Sequence, residues 1–226
     1  MSSSETAFTE ICARIAHAAT QQNRDVKLLA VSKTKPAANL RLLAALGQRR
    51  FGENYVQEAL AKQRELADLA LEWHLIGPLQ SNKCRETAEH FDWLQSLDRL
   101  KLVAPLARWR PPTRGPLQVL IQVNIDDESS KSGCRPEEIA GLAAAVAAAA
   151  PALHLRGLMA IPAPQADPDL RRAAFTRMHG LFEALRRDHP EVDTLSMGMS
   201  EDFELAIAEG ATMVRIGSAL FGARAA

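Results

Sequence analysis

The sequence predicts an α/β fold: a single-domain (β/α)8 barrel of the TIM type, preceded by an extra N-terminal helix. Three observations carry that expectation. Short apolar runs of strand character alternate with helical patterns at a spacing of roughly 25 residues, the mark of a parallel sheet with crossover helices. The alternation yields eight strands, the number that closes a barrel. Polar and glycine-bearing motifs collect at the ends of these strands, the edge where barrels place their chemistry.

An amphipathic helix over about residues 5–22 opens the chain, and the barrel follows over about 26–224, so residues 1–226 form one domain. Strands are expected at 26–32, 49–52, 71–76, 91–95, 117–124, 153–159, 194–197 and 212–216. Pro36 and Pro136 stand at expected first helical positions, and Glu137 and Glu138 place negative charge in a first turn, where the helix dipole favours it. Gly47 and Gly210 fall where helices should stop. The alanine-rich run 143–150 reads as a helix with a neutral or packed face. The stretch 110–116, RPPTRGP, resembles a linker, but cutting there leaves four strands on each side with no complete sheet. It is therefore expected as a loop at the bottom of the barrel, and a doubly wound open sheet is the rival architecture.

Composition removes several function classes. In 226 residues, 27 basic side chains balance 27 acidic ones, so the chain has no electrostatic footprint for nucleic acid. Cys12, Cys84 and Cys134 are odd in number and widely spaced, which argues against a disulfide framework or a zinc site and fits a reducing cytosol. No secretory leader and no apolar run of membrane-spanning length is visible, so a cytoplasmic protein with no membrane partner and no metal is expected.

Lys33 emerges from the first strand in AVSKTKP, a strand-end amine at the threshold of a helix. The other strand ends deliver Glu53, Asn54 and Tyr55 in FGENY, His74, Gly77 and Gln80 in WHLIGPLQ, Asn124 in QVNID, and Met159 in RGLMAIP. Strand seven leads into MGMS at 197–200 and strand eight into RIGS at 215–218. Gly198 and Gly217 permit close backbone approach, and Ser200 and Ser218 offer hydroxyls beside the amides that open the next helices. Barrels often bind phosphate with these two loops. Ser200, ahead of an expected helix at 201–209, is also a natural N-cap without any ligand.

A reactive lysine facing a phosphate pocket suits an aldehyde-bearing phosphate ester held as a Schiff base, with pyridoxal 5'-phosphate as the leading candidate. Imine formation needs the neutral amine, the form that nearby cations such as Lys35 or Arg215 favour. Arg215, at the end of strand eight, could face the pyridine nitrogen and keep it unprotonated. A lysine-dependent aldolase acting on a sugar phosphate would use similar parts.

The motifs AVSKTKP, FGENYVQE, WHLIGPLQSNK, SKSG, RGLMAIPAP, LSMGMSEDFELAI and VRIGSALFGAR together resemble the YggS/PROSC family of pyridoxal phosphate homeostasis proteins, over residues 26–224. The resemblance implies a barrel like the N-terminal domain of alanine racemase, with the cofactor joined as an aldimine to Lys33. It implies phosphate binding by Ser200, Gly217 and Ser218, Arg215 toward the ring nitrogen, and Asn54 lining the ring side; Met159, at the end of strand six, is expected among the cofactor-binding residues.

The resemblance also implies a carrier or buffer of pyridoxal phosphate that serves intracellular vitamin B6 balance, with pyridoxal-phosphate-dependent apo-enzymes as recipients, and not a catalyst. A racemase needs proton donors on both faces of the substrate carbon, yet the chain has one tyrosine, Tyr55, expected to pack or cap a helix. The chain also ends two residues after the last motif, leaving no second domain of the racemase kind, and a monomer is the default. A minimal racemase is the enzyme alternative. Lys35 and Lys131 remain secondary amines, and Lys131 could receive cofactor in transit. His74, between Trp73 and Leu75, is expected as a satisfied core residue, and the cysteines as inert.

Overall fold

The computed structural model describes residues 3–126, 132–163 and 167–222. Its parallel strands β1 (Lys27–Val31), β2 (Arg50–Glu53), β3 (Glu72–Leu75), β4 (Trp93–Leu97), β5 (Leu117–Val123), β6 (Leu153–Ala160), β7 (Thr194–Ser196) and β8 (Met213–Ile216) follow one another in chain order around a closed barrel. Closure is made at β1, where Ala30 lies opposite Phe51 of β2 on one side and opposite Ile216 of β8 on the other. The rival open sheet, which would leave two free edges, is therefore excluded.

Helix α1 (Ser3–Gln21) precedes the barrel and packs on the helices that follow the last two strands. After each strand comes a helix: α2 (Ala37–Ala45), α3 (Val56–Glu65), α4 (Cys84–His90), α5 (Val103–Trp109), α6 (Ile139–Ala148), α7 (Pro168–Asp188), α8 (Phe203–Ala208) and α9 (Ser218–Phe221). Strands enclosed on both faces read as continuous apolar runs, and β5, LQVLIQV, is buried at every position but Gln118. The helices instead show one apolar stripe. In α7 the buried set is Ala174, Phe175, Met178, Phe182 and Leu185, the three-and-four spacing of a single face. Phe51, Phe91, Phe175 and Phe203 are fully buried, and each contributes about 1.5–3 kcal/mol through lost contact with water.

Punctuation follows the sequence with two adjustments. Helices α2 and α8 are each followed, after one capping residue, by Gly47 and Gly210. Pro36 is not the first helical residue but the cap before it, its ψ of 154° being extended. Pro136 opens a short 3-10 turn, Pro136–Glu138, in which the Glu138 carboxylate accepts from the Arg135 amide at 2.8 Å. The stretch 110–116 lies at the entrance of β5. Buried Arg110 ties it down there, donating to the carbonyls of Gly115, Ala88 and Phe91 at 2.7–2.8 Å.

Candidate functional site

A cavity of about 790 Å³ opens at the C-terminal ends of the strands. Lys33, Asn54, Gly77, Ser200, Arg215, Gly217 and Ser218 all line it, so one space collects residues spread over most of the chain. Gly77 brings β3 and β2 together here, because a Cβ at that position would stand 2.3 Å from the Asn54 carbonyl oxygen. A side chain at Gly77 would therefore displace Asn54 from the wall.

Lys33 is held by a polar cluster beneath its loop. Ser32, fully buried, donates through its hydroxyl to Glu53 Oε1 at 2.6 Å. Lys62 reaches in from α3, only 5% exposed, and its ammonium donates to the Ser32 carbonyl, Glu53 Oε1 and Glu58 Oε1, each at 2.7 Å. Glu58 Oε1 also accepts from the Thr34 amide at 2.6 Å. Thr34 has a φ of +63°, a costly left-handed conformation for a β-branched residue, so the bond its amide donates to Glu58 stabilises a turn that the chain would otherwise avoid. Lys33 thus sits between two anchored neighbours. Burial raises the Glu53 carboxyl above its usual range, although the Lys62 and Ser32 bonds and the Lys62 charge oppose it. Its Oε2 is buried and has no hydrogen-bond partner among the described residues, which explains why burial outweighs the donors crowded on Oε1.

The two glycine-serine loops meet at the cavity wall. The Ser218 hydroxyl donates to Ser200 Oγ across 3.1 Å, although the serines are 18 residues apart. The expected helix at 201–209 is shorter, Phe203–Ala208, and its cap position belongs to Asp202. Asp202 accepts from the Met199 amide at 2.7 Å, which tightens the turn, and the Ser200 hydroxyl instead accepts from the Ala219 amide at 3.4 Å, in the first turn of α9. Gly198 makes this turn possible: its φ is +91°, and a Cβ there would lie 2.5 Å from Ala206 Cβ.

Arg215 forms part of the wall while only 3% exposed. It donates to Ser196 Oγ and to the Ala160 carbonyl, both at 2.8 Å, and among the described residues it has no carboxylate within ion-pair distance. Burial pushes it down to about 10, which leaves it charged at neutral pH. A buried guanidinium satisfied only by neutral oxygens is a cation poised for an acceptor in the cavity.

Other expected residues fall elsewhere. Met159 does not reach the cavity. It is fully buried with Trp93 and Leu120 in an inner cluster, because side chains alternate along β6 and this one points into the barrel core. His74 is also interior, stacked on Trp93 with ring centroids 5.1 Å apart, and bonded to Glu72 and Gln95. Gln80 is exposed, and Tyr55, expected to pack or cap, stands at the N-cap position of α3, where its carbonyl accepts from the Ala59 amide at 3.0 Å, while its side chain is 61% exposed and makes no cap bond. Lys35 lines the cavity, but its ammonium donates to the carbonyls of Phe221 and Gly222, holding the last helix against the first loop. Lys131 lies outside the described residues. Burial pushes the Cys134 thiol up to about 12 and raises Cys84 and Cys12 as well, as expected of unreactive cysteines.

Sequence reasoning missed Gln122 and Ser132 in the wall, and Lys62 and Glu58 beneath Lys33. The one signal for the latter was the Glu58–Lys62 spacing of four on a helix, which ordinarily marks a solvated pair.

Comparison with known proteins agrees with this architecture. Residues 7–225 match the family model of the alanine racemase N-terminal domain. The pyridoxal phosphate homeostasis protein of Pseudomonas aeruginosa is 57% identical over 220 residues, covering 96% of this chain and 94% of that one. The protein of the same name from Escherichia coli K12 is 53% identical over 217 residues, with coverage of 93% and 92%. PipY of Synechococcus elongatus, whose structure was solved with PLP bound, is 40% identical with a TM-score of 0.79, covering 94% of this chain and 100% of that chain. Alanine racemase from Corynebacterium glutamicum shares the fold at 22% identity and a TM-score of 0.68, and this chain covers 62% of it. With identities above 50% across nearly the whole length of its relatives, the chain belongs to the pyridoxal phosphate homeostasis protein family.

Proposed function

We propose that the protein holds pyridoxal 5'-phosphate in the strand-end cavity, with Lys33 as the covalent anchor, and serves the intracellular supply of this cofactor. One observation carries the reading: an anchored primary amine, a hydroxyl pair and a buried arginine line the same cavity. The cofactor supplies an aldehyde that condenses reversibly with a primary amine, releasing water, and a phosphate that needs a polar cradle.

In this reading Lys33 would hold the cofactor through its aldehyde, while Ser200, Ser218 and the main chain at Gly217 would receive the phosphate. Arg215 would donate toward the ring nitrogen and Asn54 would border the ring. The buried cluster of Glu53, Glu58 and Lys62 fixes the peptide on either side of Lys33, so the amine is presented without a conformational search.

The protein carries the cofactor and does not turn over a substrate with it. In support, the relatives from Pseudomonas aeruginosa and Escherichia coli, which match over nearly their whole length, are named as homeostasis proteins. Apo-enzymes that depend on the cofactor are the recipients, and the carrier acts as a monomer in the cytoplasm. No described helix is long and apolar enough to cross a membrane.

The test is borohydride reduction of the protein loaded with pyridoxal 5'-phosphate, followed by peptide mass spectrometry. The expected adduct is on Lys33; an adduct on another lysine overturns the anchor assignment. Exchange of the Cα hydrogen of free amino acids with solvent, if catalysed, would overturn the carrier reading.

A further inference from the structure

The barrel interior contains a chain of hydrogen bonds that neither binding nor packing of the wall residues requires. Arg215 donates from its guanidinium to Ser196 Oγ at 2.8 Å. Ser196 donates to Gln95 Oε1 at 2.8 Å. Gln95 Nε2 lies 2.9 Å from His74 Nδ1, and His74 Nε2 lies 2.8 Å from Glu72 Oε1. Ser196, Gln95 and His74 are each 0% exposed, and the chain crosses from β8 through β7, β4 and β3 to Glu72 at the opposite end of the strands.

Its direction is determined by elimination. Arg215 can only donate, so Ser196 Oγ must accept from it and turn its own proton to Gln95 Oε1. The Gln95 amide nitrogen is then on the far side, where it meets Met213 Sδ at 3.2 Å as well as His74 Nδ1, both acceptors. A flipped amide would place its oxygen against the sulfur. His74 must therefore accept at Nδ1 and carry its proton on Nε2, donating to the Glu72 carboxylate. Burial lowers the His74 pKa, in agreement with a neutral ring. Every donor points away from Arg215 and toward Glu72, so the bonds polarise one another along a line from cation to carboxylate.

We propose that Ser196, Gln95 and His74 are positioning residues for Arg215, forming a one-way hydrogen-bond chain that fixes which guanidinium N–H groups remain for the cofactor ring. The inference rests on the cofactor reading of the cavity. Ser196 is the critical link, because its hydroxyl has one acceptor position for Arg215 and one proton for Gln95. Without it, the guanidinium loses a fixed oxygen and Gln95 loses the donor that orients its amide. Arg215 then turns toward other acceptors, and the ring nitrogen loses its fixed partner.

The test compares wild type, Ser196→Ala, Gln95→Leu and Arg215→Gln, each loaded with pyridoxal 5'-phosphate. The readouts are the absorption maximum of the lysine-bound chromophore, cofactor affinity by fluorescence titration, and the thermal midpoint. Val119→Ala, a buried β5 substitution outside the chain, is the control for general loosening. Ser196→Ala and Gln95→Leu are expected to shift the absorption band in the same direction as Arg215→Gln and to weaken affinity on the order of ten-fold, the loss of one hydrogen bond to a charged group. Val119→Ala should lower the midpoint without moving the band. If both chain variants bind the cofactor with the wild-type band and affinity, the positioning role is overturned while the cofactor reading stands. If the wild type takes up no cofactor, the functional reading fails first. Should Gln95→Leu not fold, Ser196→Ala, which removes a single oxygen, decides the question alone.

Discussion

The Lys62 ammonium donates to the Ser32 carbonyl across 2.7 Å, so a side chain 30 residues further along the chain secures the peptide immediately before Lys33. The same ammonium also bonds both Glu53 and Glu58, and Glu58 secures the amide of Thr34 immediately after Lys33. Lys33 therefore owes its position to groups that do not line the cavity themselves.

Lys62→Met should lower unfolding stability by about 3–5 kcal/mol, because it strands two carboxylates and a carbonyl that lose a shared buried partner. Urea titration measures this. Stopped-flow formation of the lysine-bound chromophore should slow as well, since Lys33 loses its fixed backbone. A variant with wild-type stability and wild-type rate would show that the cluster is incidental.

Glu53 gives stability a pH dependence of known sign. Its carboxyl is raised above the usual value of 4.5, mainly by burial, so between that value and the raised one the folded state holds a proton that the unfolded state has released. Its contribution is complete below about pH 4.5 and is lost as pH rises through the raised folded value. Urea midpoints measured for wild type and Glu53→Gln across this window should differ in slope, the wild type losing stability relative to the variant as pH increases. Parallel curves would contradict the assignment.

Ser200→Ala and Ser218→Ala should each reduce affinity for pyridoxal 5'-phosphate by roughly ten-fold to a hundred-fold, given that hydrogen bonds to charged groups contribute about 1.5–3 kcal/mol. Both should leave affinity for pyridoxal, which lacks the phosphate, nearly unchanged. Equilibrium dialysis with the two ligands makes the comparison, and equal losses for both would remove the serines from the phosphate site.

Cys134 should resist thiol reagents in the folded protein. Burial first, and then the charge of Glu138, push its thiol up to about 12, so almost no thiolate exists at neutral pH. Cys12 is partly exposed and should react first, with Cys84 and Cys134 appearing only on unfolding. Native labelling of Cys134 at the Cys12 rate would contradict its placement.

Much of this molecule was legible in the order of its residues. Parallel barrel strands are near-continuous apolar runs, so all eight could be located to within a few residues, and the strand-end rule then placed Lys33, Asn54, Arg215, Gly217 and Ser218 on one rim. The same rule placed Ser200 there, and its alternative reading as an N-cap is not met, because the helix starts at Phe203 and the cap position falls on Asp202. Met159 shares the inward face with Ser196, its register partner on β7, but packs with Trp93 and Leu120 instead of lining the cavity, and no sequence pattern marks where along a buried strand the core ends and the cavity begins.

The sequence by itself determined the barrel, the rim and the chemistry available there, since these depend on periodicity and residue type along the chain. Only the tertiary structure decided how those groups are held: Lys62 and Glu58 around the Lys33 loop, Asp202 beside Ser200, and the line from Arg215 to Glu72 through the core. The physical reason is that these are hydrogen bonds between distant segments, made inside a low-dielectric interior where each polar group needs a partner. Which partner it finds is settled by three-dimensional register, which no local pattern records.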